Sequence, residues 1–136
     1  MKTKLIGYWI ITAILAFALL SGGIGQLANH PETIRSLVQL GYPPYLATIL
    51  GFWKVLGGIA LLAPGLPRLK EWAYAGVFFN MTGAAASHVF SADAAWHIAV
   101  TVAFAVLTVA SWALRPANRR LQSQSDETPQ EILCSP

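Results

Sequence analysis

Gln26, Lys54, Asn80, His88 and His97 draw attention because each interrupts an otherwise apolar stretch. An amine and a carboxamide fixed in a dry site donate hydrogen bonds to a carbonyl or an oxyanion, and preorganised donors stabilise such groups strongly there. Two histidines at one end of a bundle are also a haem-ligand pattern. No second pair supports it, and haem is disfavoured. These five residues form the candidate ligand-binding set. The chain shows no cluster of nucleophile, base and orienting group, so no catalytic residue is assigned, and no metal ligand is assigned either.

The spacing around the polar residues places them on helices. Lys54 continues the stripe Ala47, Gly51 and Gly58 in steps of four, three and four, and Asn80 lies in the stripe Ala73, Gly76, Gly83 and Ser87. Small-residue stripes let helix backbones approach closely in lipid. Lys54 and Asn80 are therefore expected to face each other across a tight helix contact. A lysine at mid-bilayer costs several kcal/mol unless it finds a partner, a polar cavity or a route to the interface.

The positioning elements follow from hydropathy. Apolar runs cover residues 5–27, 45–63, 72–90 and 94–114, each near the roughly 20 residues that cross a bilayer core of about 30 Å. Mean hydropathy is +0.53, and 11% of residues are charged. The fold expected is all-α, an integral membrane four-helix bundle, with the lipid bilayer as its principal partner. Lys2 and Lys4 precede the first run, which is read as a retained helix rather than a signal peptide because it lacks a clear A-x-A site. Arg68 and Lys70 separate the second and third runs, and Arg115, Arg119 and Arg120 follow the fourth, against Arg35 alone on the other side. That asymmetry predicts a multi-pass protein of the cell membrane, the bacterial inner membrane, with both termini cytoplasmic. The formal charge of +3 is thereby accounted for, and no nucleic-acid partner is expected. The single Cys134 excludes an internal disulfide.

Between the first two runs, Asn29-His30-Pro31-Glu32 reads as a helix start and Gly41 with Pro43-Pro44 as a stop, so a short amphipathic helix should lie on the outer face. Pro64 to Pro67 and Ser91 to Asp93 read as tight turns. Residues 1–120 are one transmembrane domain, and residues 121–136 a polar, disordered cytoplasmic tail. Counted from the cytoplasmic ends, Lys54 and Asn80 lie roughly 13 Å and 12 Å deep. His88 and His97 form an outer layer with Gln26, and Thr101 and Thr108 carry the polar face inward. The plainer alternatives are an interhelical clamp for Asn80, an interfacial role for His97 and a snorkelling or neutral Lys54. Glu71 reads as a helix N-terminal acid.

The ordered set Ser21-Gly22-Gly23, Leu40-Gly41-Tyr42-Pro43, Lys54-Val55-Leu56-Gly57-Gly58, Leu61-Leu62-Ala63-Pro64, Arg68 through Gly76, Asn80 and His88 resembles the DoxX-like family of small four-helix membrane proteins. The resemblance covers nearly all of the membrane domain and implies a fold more than a reaction. Relatives bearing the DoxX name are associated with membrane oxidoreductase assemblies, including a thiosulfate:quinone oxidoreductase. This chain departs from broader relatives in having Lys54 where they often carry a carboxylate, and in lacking the cysteines of thiol-linked ones.

The functional expectation is a non-catalytic subunit or accessory protein of a membrane oxidoreductase system, binding a small amphipathic molecule such as a quinone beside a redox partner protein. The alternative is a small membrane carrier or assembly scaffold with no redox role, and an enzyme acting alone ranks third. A second copy of the chain is a further candidate partner.

Overall fold

The computed structural model describes residues 2–121; the expected tail thus lies, apart from Leu121, outside the described residues. The elements are α1 (Lys2–Leu27), α2 (Pro31–Gln39), α3 (Tyr45–Leu62), α4 (Pro67–Phe90), α5 (Ala95–Leu114) and a 3-10 turn at Ala117–Arg119. The fold is an all-α membrane bundle. Three helices, α1, α3 and α5, are long and apolar enough to cross a bilayer. The fourth, α4, has 24 residues and starts five residues earlier than the apolar run suggested. Pro67 supplies a first helical residue with its φ already set, so the helix runs through Arg68, Lys70 and Glu71.

Three chain reversals at one end share one device. After α1, His30 N–H bonds Gly25 O at 3.0 Å and Asn29 N–H bonds Gln26 O at 3.2 Å, with Asn29 left-handed at φ 54°. After α2, Tyr42 bonds Leu37 and Gly41 bonds Val38, with Gly41 at φ 87°. After α4, Asp93 bonds His88 and Ala92 bonds Val89, with Ala92 at φ 51°. These paired bonds satisfy last-turn carbonyls that would otherwise be orphaned. Turn chemistry was legible at Gly41; at Ala92 the conformation is imposed on a residue that disfavours it.

The long helices pack in a ring in which α1 touches α3 and α5, and α4 touches α5 and α3. The closest seam joins α1 to α3: a Cβ on Gly23 would lie 2.9 Å from Gly51 O, and one on Gly58 2.9 Å from the Leu20 side chain. The small stripe of α3 is therefore spent on α1. On α4, Gly76 and Gly83 have nothing within 4 Å of an added Cβ. The expected tight contact between the stripes of α3 and α4 is not formed, because α1 takes the glycine face first. Leu15, Leu19, Leu61, Tyr74 and Val77 build the apolar core between α1, α3 and α4, with Phe104 and Leu107 of α5 against it.

Candidate functional site

With the α3 stripe turned toward α1 and the glycines of α4 left uncovered, the two helices part. A cavity of about 630 Å³ opens between them, walled by Trp53, Leu56 and Ile59 on one side and Trp72, Gly76 and Val77 on the other. Lys54 and Asn80 both line it and are its ionisable and carboxamide groups. Neither makes a hydrogen bond or ion pair with another described residue. The structure thus brings Lys54 and Asn80 to one cavity rather than to one close contact. Its size falls in the range of small-molecule sites, which pair an apolar lining with a few polar groups.

Below the cavity, at the end bearing the basic residues, lies a polar network that sequence reasoning missed. Lys70 is 1% exposed. Its Nζ donates to Ala60 O at 2.8 Å, to Leu61 O at 3.1 Å and to Ala63 O. It thereby closes the C-terminus of α3, where three carbonyls lack helical partners and the helix dipole favours a cation. Beside it, Arg115 Nη2 pairs with Glu71 Oε1 at 2.6 Å, and Trp112 Nε1 donates to Glu71 Oε2 at 2.8 Å. The Arg115 guanidinium also lies over the rings of Tyr74 and Trp112, 5.1 Å and 5.4 Å from their centroids. Thr12, Ser111 and Tyr74 form a buried hydroxyl chain with links of 2.8 Å. Arg119 Nη1 reaches Tyr8 Oη at 3.4 Å while its guanidinium covers Trp9.

Three sequence readings are corrected here. Glu71 is not a first-turn acid, since α4 begins at Pro67; it is the anchor of Arg115 and Trp112. Lys70 and Arg115 are not merely interfacial markers of orientation, since both are buried. A signal was present: Tyr8 and Thr12, Lys70 and Tyr74, and Ser111 and Arg115 are each four residues apart, so three helix ends carry a polar face. Thr101 and Thr108 do not continue a shared polar interior. Their hydroxyls bond back to His97 O and Phe104 O within α5.

The opposite end brings His88 and His97 together. Their rings stack with centroids 5.3 Å apart, and Asp93, which the sequence reading left unassigned, joins them. His88 Nδ1 lies 2.7 Å and His97 Nδ1 3.1 Å from Asp93 Oδ2. The Asp93 carboxyl is held below the usual carboxylate range, first by the Ala94 N–H on Oδ1 and then by His88. Gln26 is elsewhere. It is buried in the seam of α1 and α3 against Gly51, with Oε1 unpartnered, and shares no hydrogen bond with either histidine.

No curated protein and no solved structure matches the chain. A sequence model of the DoxX-like family matches residues 10–111, about three quarters of the chain. That stretch takes in the parting of α3 and α4, Lys54, Asn80 and the His88, Asp93 and His97 cluster, and stops short of Tyr8 and Arg115. The bundle that opens between two of its own helices thus belongs to a membrane protein of the DoxX-like family.

Proposed function

We propose that this protein is a non-catalytic subunit or accessory protein of a membrane oxidoreductase system, and that its cavity between α3 and α4 binds a small amphipathic molecule such as a quinone. The observation that carries the reading is Lys54 with Asn80 in an apolar cavity of about 630 Å³, both without protein partners among the described residues. Such donors hold a ring carbonyl, while the tryptophan and aliphatic walls suit a ring and a prenyl tail. A buried lysine left unpaired is costly, and a ligand carbonyl reduces that cost. In this reading α4 is a fourth crossing and the basic end faces the cytoplasm.

The test is extraction of the full chain in mild detergent, with mass spectrometry of copurifying lipids, quinones and proteins. Wild type should carry a quinone or a similar amphipathic molecule, and Lys54→Leu should lose it with the fold intact. Lys54→Arg should not restore it, because the planar guanidinium differs in shape and donor geometry. Unchanged copurification in the leucine variant would remove the cavity from the functional account. Solute flux that depends on Lys54, with no bound quinone, would replace the reading with a carrier.

A further inference from the structure

We propose that His88, Asp93 and His97 form a binding site for a divalent transition-metal ion of the zinc class at the end of the bundle opposite the basic residues. Two imidazoles and one carboxylate make a donor set that zinc uses where a fourth position is left to water. One ligand atom from each residue lies within 4.8 Å of the other two. Tetrahedral ligands at zinc bond lengths sit about 3.4 Å apart. The two Nδ1 to Oδ2 separations of 2.7 Å and 3.1 Å are shorter than that by roughly 0.7 Å and 0.3 Å, so the carboxylate must withdraw from both rings to admit an ion.

The cluster is assembled by backbone rather than by chance proximity of long side chains. The six-residue turn that closes α4 bonds Asp93 N–H to His88 O at 3.0 Å, which sets these two residues side by side. Ala92 is held at φ 51° to make that turn, a conformation that costs an L residue about 1–2 kcal/mol. Ala94 N–H holds Asp93 Oδ1 at 2.7 Å, leaving Oδ2 for the histidines. His97 follows four residues later, in the first turn of α5.

A second observation points to a cation. His97 Nδ1 is shielded from solvent and makes no directed hydrogen bond, although it lies 3.1 Å from Asp93 Oδ2. Its contact with the carboxylate is longer and less well aligned than that of His88, and a metal ion seated between Asp93 and the two rings would engage both nitrogen lone pairs. The side chains remain reachable from water, with His88, Asp93 and His97 being 14%, 34% and 39% exposed. The plain alternative is that Asp93 is only a hydrogen-bonded clip between α4 and α5. The site does not depend on the cavity, and Lys54→Leu should leave it unchanged.

The test uses the full chain with an affinity tag free of histidine, in mild detergent, stripped with a chelator and titrated with Co²⁺ alone. Wild type should bind about one equivalent with the visible bands of a four- or five-coordinate ion, and Zn²⁺ should displace it. His97→Ala and Asp93→Asn should each weaken binding at least about tenfold. His30→Ala, at an exposed histidine outside the cluster, should bind as wild type does. Zn²⁺ should raise the thermal midpoint of wild type and not of His97→Ala. Absence of stoichiometric Co²⁺ binding by folded wild type would overturn the proposal. So would equal affinity in folded Asp93→Asn, which keeps the side-chain shape and tests the carboxylate should His97→Ala fail to fold.

Discussion

Gly23 and Gly51 meet backbone to backbone: a Cβ added to either would stand within 2.9 Å of the carbonyl oxygen of the other. Neither carbonyl can move without bending its helix, so this pair fixes how closely α1 and α3 approach. The same contact turns the small face of α3 away from α4 and leaves room for the cavity beside Lys54.

Gly51→Ala should therefore destabilise the bundle by about 1–3 kcal/mol through overpacking. Gly83→Ala, where an added methyl meets nothing within 4 Å, should be neutral or stabilising by up to about 1 kcal/mol. Thermal unfolding in detergent compares the two. Equal tolerance would mean that α1 and α3 do not rely on the glycine seam.

Lys70→Met keeps the aliphatic stem and removes the ammonium that closes α3. Three carbonyls, on Ala60, Leu61 and Ala63, then lose a donor. The expected loss is about 2 kcal/mol, within the range for an unsatisfied buried polar group. A chemical denaturation series in mixed micelles measures it, and an unchanged midpoint would show that water serves the α3 terminus as well as Lys70 does.

Glu71 and Arg115 should behave as a pair. Arg115→Met leaves Glu71 with Trp112 Nε1 as its remaining donor, and Glu71→Leu leaves a guanidinium that is 3% exposed with Trp112 O but no counter-charge, so each single variant should lose about 3 kcal/mol or somewhat less. The double variant should lose clearly less than the sum. A double-mutant cycle on thermal stability gives the coupling energy, and strict additivity would reduce the 2.6 Å contact to a bystander.

Orientation is checked by reporter fusions. Alkaline phosphatase joined after Arg120 should be inactive and a fusion near His30 active, because seven of the eight basic residues outside the apolar runs lie at one end. The reverse pattern would turn the bundle over and place the His88 cluster in the cytoplasm.

Much of the architecture was legible in sequence because lipid imposes one demand on every span. Backbone polar groups must be satisfied within the helix, so run length and hydropathy alone mark α1, α3 and α5. Pro31 and Gly41 bracket α2 by the same local chemistry that appears in the structure. The start of α4 was not legible: Arg68, Lys70 and Glu71 lie ahead of the apolar run that begins at Trp72, yet their backbone already belongs to the helix that starts at Pro67. Hydropathy reports on side chains, and a charged side chain with a partner costs the helix little.

By itself, then, the sequence determined the class of fold and the family resemblance. Tertiary structure decided which helix receives the stripe of Gly51 and Gly58, whether Lys70 and Arg115 snorkel or bury, and that Asp93 joins His88 with His97. The physical reason is that all faces of a membrane helix are largely apolar, so periodicity does not name its neighbour. A charge near a helix end is likewise compatible with headgroups or with an internal partner. Only the packing of α1 against α3, and of α5 against α4, selects between those outcomes.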